Sequence, residues 1–282
     1  MPTAQELLRK FKDIKTLPHV AIHLTRLISS NDSTMQEFEE VVRMDPTLVL
    51  RVLNMVNSAY FGLRKRVDSI SRAIVFIGLK NLRNMIVTSA MKEVFDRSSG
   101  EGEEVFSRSS LWLHCAAVGV CGKMISERIF GNMGEDIYLC GILHDIGLIV
   151  EDQAAPDLFL KACNAYRGGT KTFTECETAL IGVDHCEIGY RLTRDWKIPE
   201  DVQEGIRFHH KAQAQDSPSS IAGVLKISDY LVSKMNYGAI PGIKATLPKN
   251  LVVYLRENID EYKALIKDLP GEISKAKEIY ES

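Results

Sequence analysis

Apolar residues recur along this chain at the three-to-four-residue spacing of helices, and no segment shows the period-two alternation of a half-buried strand. Pro18 is placed to open a helix with Ala21, Leu24, Thr25 and Ile28 on one face. Thr34 and Glu37 form a capping-box pair ahead of Phe38, Val41 and Val42. Asp45-Pro46 reads as an N-cap and a first-turn proline, followed by Leu48, Val49, Val52, Leu53 and Val56 on one face. The stretch NSAYFG at 57–62 breaks that helix. Ile70, Ala73, Ile74 and Ile77 then lead to Gly78, and Leu79, Leu82, Ile86, Ala90 and Val94 carry the next helix.

At DRSSGEGEEVFS the pattern turns polar, glycine-containing and acidic. This places a linker at 96–107 between an N-terminal helical lobe, 1–95, and a second helical lobe, 108–235. In the second lobe the spacing predicts helices over 109–130 (ending at Gly131), 134–151, 156–167, 174–181, 185–195, 199–210 and 219–235. Residues 236–282 form a charged, amphipathic C-terminal helical extension, with Leu251, Tyr254, Leu255 and Ile259 as its packing face. The expected fold class is all-α.

The segment predicted to be most deeply buried, GILHDIGLIV at 141–150, contains His144 and Asp145. Burying an unpaired carboxylate costs several kcal/mol (order of magnitude), so a fold that keeps one supplies a cation or strong donors. Of the seven histidines, five lie in the second lobe on or beside apolar stripes: His114, His144, His185, His209 and His210. Asp229 is in line with Ala222, Leu225 and Val232. One core-facing histidine is ordinarily a satisfied core residue. Five histidines and two aspartates on five helices also suit Fe, Mn, Ni, Co or Zn, and a shared aspartate can bridge two ions. Spacing alone leaves their convergence open. His19 and His23, four residues apart, have no further ligand beside them.

Composition adds mainly exclusions. The chain has 282 residues, 45% hydrophobic and 26% charged, with a net charge of −2, which gives no electrostatic case for nucleic acid or an anionic membrane. No apolar run approaches spanning length and no leader is evident, so a cytoplasmic protein is expected. The six cysteines form no C-x-x-C pair and read as small core hydrophobes. Cys115 and Cys186 each adjoin a histidine of the set and are expected to point away from it on their helices.

The ordered string His114, His144-Asp145, His185, His209-His210, Asp229 resembles the HD superfamily of metal-dependent phosphohydrolases. The segments LPHVAIHLTRLI, DPTLVLRVLNMVNSAYFG and SISRAIVFIGLKNLRNMIV look like the HDOD domain, a relative of the HD-GYP signalling phosphodiesterases. LWLHCAAVGV, CGILHDIGLIVEDQAAPDLF and LIGVDHCEIGYRLTRDWKIPEDVQEGIRFHH continue that likeness, which spans roughly residues 14–235. The resemblance implies a multi-helical HDOD fold, with its HD-like lobe second. It also implies two metal positions: His114, His144, Asp145 and Asp229 for one ion, and His185, His209 and His210 for the other, with Asp145 bridging.

Three departures from the catalytic relatives are visible. The D-x-G-K lysine that contacts substrate phosphate is replaced by Leu148, the segment after the paired histidines reads KAQAQDSP without a GYP signature, and Ser110 stands where some trinuclear relatives carry an acid. The implied function is a regulatory module that acts through protein contacts in a bacterial signalling pathway, with one or two divalent transition-metal ions at the His/Asp set. A metal-dependent phosphohydrolase or phosphodiesterase is the alternative, and a histidine-rich iron sensor of redox state or oxygen is the third. No receiver, GGDEF or membrane segment is evident, so the input is expected from another molecule.

Overall fold

The structure is a computed structural model that describes residues 2–14, 23–24, 27, 34–43, 45–58, 61, 63, 66–95, 105–167, 169–211, 216–238, 240 and 245–281. Among these residues there is no strand, as the apolar spacing requires. In the first 95 residues the helices are α1 (Ala4–Ile14), α2 (Met35–Arg43), α3 (Pro46–Val56), α4 (Ile70–Ile77) and α5 (Leu79–Phe95). The second group runs α6 (Arg108–Arg128), α7 (Glu135–Leu143), α8 (Ile146–Ala154), α9 (Pro156–Arg167), α10 (Phe173–Leu180), α11 (His185–Asp195), α12 (Glu200–Phe208) and α13 (Ile221–Lys234). Two more, α14 (Lys249–Glu257) and α15 (Ile259–Glu281), follow.

Local chemistry sets the helix ends. Thr34 and Glu37 exchange capping bonds, with Glu37 N donating to Thr34 Oγ1 at 3.2 Å and Thr34 N to Glu37 Oε2 at 2.8 Å. Asp45 Oδ1 accepts from Leu48 N at the start of α3. At the far end of α3, Asn57 closes the loop: its side chain donates to Leu53 O and Val67 O and accepts from Val67 N, each at 2.7 Å. The helix predicted from Pro18 lies largely outside the described residues, as does His19; Leu24 there is buried and His23 exposed. Helix α1 was not foreseen. Thr3 and Glu6 cap it as Thr34 and Glu37 cap α2, and Leu7, Leu8 and Phe11 are buried. It packs on α8 and α11 of the second group.

Helices α2 to α5 pack on one another around Phe38, Val42, Val52 and Leu82. Helix α5 is their contact with the rest, lying on α6 and α7. There Arg83, 1% exposed, donates to Asp136 Oδ1 at 2.9 Å, Lys80 Nζ reaches Asp136 Oδ2 at 2.7 Å, and Asn84 donates to Glu135 O at 2.6 Å. A buried guanidinium left without its carboxylate is costly, so Asp136 is a strong registration point. The two cations also hold its carboxyl below the usual value, against burial, which would raise it.

In the C-terminal extension Leu251 and Leu255 are buried and Tyr254 stacks on Phe130, but Ile259 is 44% exposed. The single face expected there is interrupted because Asn258 ends α14 and Ile259 begins a new helix. Helix α15 then lies on α6, with Tyr262, Leu265 and Leu269 buried.

Candidate metal centre

The stretch expected as one helix over 134–151 is two. Helix α7 stops at Leu143, His144 and Asp145 form the turn, and α8 starts at Ile146, with Asp145 at φ −102° and ψ 14°. Apolar periodicity continues through the turn because both halves are buried, so the pattern could not show the break. Two glycines explain what the turn packs against. A Cβ on Gly141 would lie 2.5 Å from Gly119 Cα, so α7 crosses α6 backbone to backbone, next to His114. A Cβ on Gly147 would lie 2.0 Å from His185 O, so α8 begins against the first turn of α11.

All seven predicted side chains converge there. His114 Nε2 lies 3.3 Å from His144 Nε2, 3.4 Å from Asp229 Oδ1 and 3.6 Å from Asp145 Oδ2. His144 Nε2 lies 3.3 Å from Asp145 Oδ2. On the other side of the same carboxylate, Asp145 Oδ1 is 3.5 Å from His185 Nε2 and 3.4 Å from His209 Nε2, and those two nitrogens are 3.3 Å apart. His210 joins this second group and is the exposed member. His114, His144 and Asp229 form one set and Asp145, His185, His209 and His210 the other, each able to converge on one ion, with Asp145 facing both.

The outer hydrogen bonds decide which nitrogens face inward. His114 Nδ1 donates to Tyr237 O at 2.6 Å, His144 Nδ1 to Gly141 O at 2.8 Å and His209 Nδ1 to Ile206 O at 2.7 Å. A carbonyl can only accept, so each Nδ1 carries the proton and each Nε2 offers its lone pair to the cluster. His185 Nδ1 is held by both oxygens of Glu177 at 2.7 and 2.8 Å. Inward lone pairs 3.3 Å apart repel unless a proton or a cation lies between them. Asp145 Oδ1, buried and without a hydrogen-bond partner, points into the same space. These residues fit a transition-metal ion.

Without an ion, the charges sort themselves by protons. Burial alone would depress His144, but the adjacent Asp145 carboxylate outweighs it and raises the imidazole well above its usual value. Burial likewise works to raise Asp145, and the facing imidazoles, His144 foremost, bring its carboxyl well below the usual range. For His114 burial prevails and its value falls.

Three features escaped the sequence reading. Glu177 and Glu151 are both fully buried, and burial pushes both carboxyls up; the charge of Glu177 raises Glu151 further. Neither residue stands out from its helix pattern. Cys186 does not point away: its Sγ lies 3.6 Å from His185 Nε2 and 4.0 Å from His209 Nε2. Cys115 is likewise turned toward His144. Side chains in a first turn lean toward the helix N-terminus, so neighbours 100° apart at the start of α11 still meet beyond its end.

The opening above the cluster is small. A cavity of about 20 Å³ is lined by His114, Asp145, Leu148, Phe173, His185, His210, Asp229, Ser233 and Gly238, with no lysine or arginine among them. That space is about one water molecule's worth.

Comparison with known proteins places this architecture. A solved HDOD domain protein of unknown function from Geobacter sulfurreducens is 25% identical, superposes with a TM-score of 0.68, and the match covers 97% of this chain and 92% of that one. A structure from Shewanella amazonensis, provisionally described as a phosphohydrolase, matches with a TM-score of 0.71 at 24% identity, over 98% of each chain. One from Marinobacter aquaeolei, provisionally described as a signal transduction protein, gives 0.71 at 20% identity, covering 94% of this chain and 59% of that one. Below 25% identity such likeness carries the fold alone. An uncharacterised protein of Treponema pallidum is 29% identical over 209 residues, 73% of this chain; the match spans 39% of that longer relative. The HDOD domain pattern matches residues 14–212. With the helical architecture and the His/Asp cluster, this establishes the family: the chain belongs to the HDOD domain proteins.

Proposed function

We propose that this protein is a non-catalytic signalling module that acts through protein contacts and uses the His/Asp cluster to hold one or two divalent transition-metal ions as part of its structure. His114, His144, Asp145 and Asp229 would hold one ion and His185, His209 and His210 the other, with Asp145 bridging. When bound, such ions supply Lewis acidity and a firm cross-link between helices. Fe, Mn, Ni, Co and Zn all suit the donors.

The observation that carries the non-catalytic reading is Leu148 in the lining of the cavity. It stands where catalytic HD relatives carry the phosphate-binding lysine, is 2% exposed, and faces a space of about 20 Å³. A phosphodiester needs positive or donor groups and more room than one water occupies. His144, Asp145 and His185 can therefore hold a cation, while among the described residues that line the cavity no lysine or arginine grips a phosphate. Protein contact is supported by exposed apolar side chains in the first group of helices: Met35, Leu50, Val75 and Phe76 are four of the seven large ones exposed among the described residues. No helix among those residues is long and apolar enough to cross a membrane, which accords with a cytoplasmic module. Its partners are taken to be proteins of a bacterial signalling pathway.

A metal-dependent phosphohydrolase is the second reading, favoured by the division of the cluster into two sets across one carboxylate. Metal-reconstituted protein assayed on cyclic dinucleotides, nucleotides and a generic phosphodiester separates the two. The signalling reading expects no turnover with any metal; turnover abolished by Asp145→Ala overturns it.

A further inference from the structure

The ligand set implied by the resemblance gives no role to a cysteine that lies against two of its histidines. Cys186 is fully buried, and its sulfur lies 3.6 Å from His185 Nε2 and 4.0 Å from His209 Nε2. The nitrogens are 3.3 Å from each other and 3.5 and 3.4 Å from Asp145 Oδ1. A tetrahedral ion with bonds of about 2.0–2.3 Å to nitrogen, oxygen and sulfur sets neighbouring donor atoms roughly 3.3–3.6 Å apart. Four of these five separations fall within that range and the fifth exceeds it by 0.4 Å.

Asp145 Oδ1 is an independent second observation. It is a carboxylate oxygen, in a residue 4% exposed, that has no hydrogen-bond partner and points at the same space. A thiol that merely donates S–H to His185 Nε2 accounts for one of the five separations and leaves this oxygen unpartnered. An ion in their midst accounts for the four separations in range and gives this oxygen a partner.

We infer that Cys186 is a thiolate ligand of the ion held by Asp145, His185 and His209, in the place that the resemblance gives to the exposed His210, which gives that position a sulfur donor and makes it favour zinc or cobalt over manganese. The inference rests on the metal reading above and deepens it. On binding, the S–H bond breaks, a sulfur–metal bond forms and the proton passes to the buffer, with no change of oxidation state. Thiolate is a soft donor, whereas manganese is suited by carboxylate, carbonyl and water oxygens.

The test is the electronic absorption of the full-length protein loaded with cobalt(II), with bound cobalt measured on the same sample. Wild type is expected to show a near-ultraviolet thiolate-to-cobalt charge-transfer band; Cys186→Ser loses it and Cys115→Ser keeps it. Cobalt retained without that band overturns the proposal and leaves the metal reading standing, as does a band that survives Cys186→Ser. No cobalt retained at all overturns both. Should Cys186→Ser fail to fold, X-ray absorption of zinc-loaded wild type decides: one sulfur in the zinc shell supports the proposal, and a shell of only nitrogen and oxygen overturns it.

Discussion

The helices before residue 96 and those after residue 107 bury different things. In the first set the buried polar side chains among the described residues are Arg83, Asn84, Thr88 and Ser89, all on α5, which lies on α6 and α7 of the second set. The second set buries His114, His144, Asp145, Glu151, Glu177, His185, His209 and Asp229 around a single point. The first set is apolar inside except where α5 meets α6 and α7, and the second gathers charge at one place. Buried charge is expensive, and a fold that assembles so much of it in one place holds it with compensating groups. Helix α7 connects the two features: Asp136 at one end receives Arg83 and Lys80, and His144 follows the other end.

Substitutions can break this contrast at points of decreasing leverage. Gly147→Ala sets a methyl group 2.0 Å from His185 O and should destabilise the fold by about 3 kcal/mol or more, read from denaturant melts, because backbone rather than a movable side chain is in the way. An unchanged midpoint would mean that α8 and α11 are not docked as described. Asp136→Ala strands the buried Arg83 guanidinium and should cost about 2–3 kcal/mol, less than a fully buried pair, since the carboxylate side chain is 29% exposed. Glu177→Gln replaces one of the two carboxyl oxygens that hold His185 Nδ1 with an amide nitrogen and should weaken metal binding by about 10–100-fold in a competition titration, with near-native helicity by circular dichroism. Replacing Val75 and Phe76 with threonine and serine should move stability by only about 0.5 kcal/mol per site, since both are exposed. A large loss there would show that the two side chains are core and not contact surface.

The contrast was partly legible in the sequence. Helical periodicity exposed the all-α class, and polar residues on apolar stripes pointed to the five histidines and two aspartates that the structure brings together, because a polar residue at a core position is conspicuous against Leu, Ile and Val. The break at His144–Asp145 was hidden: when helices on both sides of a turn are buried, the hydrophobic run does not pause. Glu151 and Glu177 sat unnoticed because a glutamate in a helix is ordinarily solvated, and only the packing of α8 beside α9 and α11, and of α10 beside α9, places them inside. Cys186 was misjudged for a geometric reason, since the rule that adjacent residues diverge holds along a helix and fails beyond its end. Helix α1 was missed although Thr3 and Glu6 form the same capping pair that revealed α2.

The central claim is that the second set of helices closes on a metal. Elemental analysis of full-length protein purified without a histidine tag, wild type beside Asp145→Ala, tests it most directly. The account predicts at least one transition-metal ion per chain in wild type, its loss in the variant, and thermal stabilisation of metal-stripped wild type on re-addition, about 2.7 kcal/mol at a hundredfold excess over the dissociation constant. A wild-type chain free of metal and unmoved in its melting by manganese, iron, cobalt, nickel or zinc would contradict it, and the cluster would then be held by protons and hydrogen bonds alone.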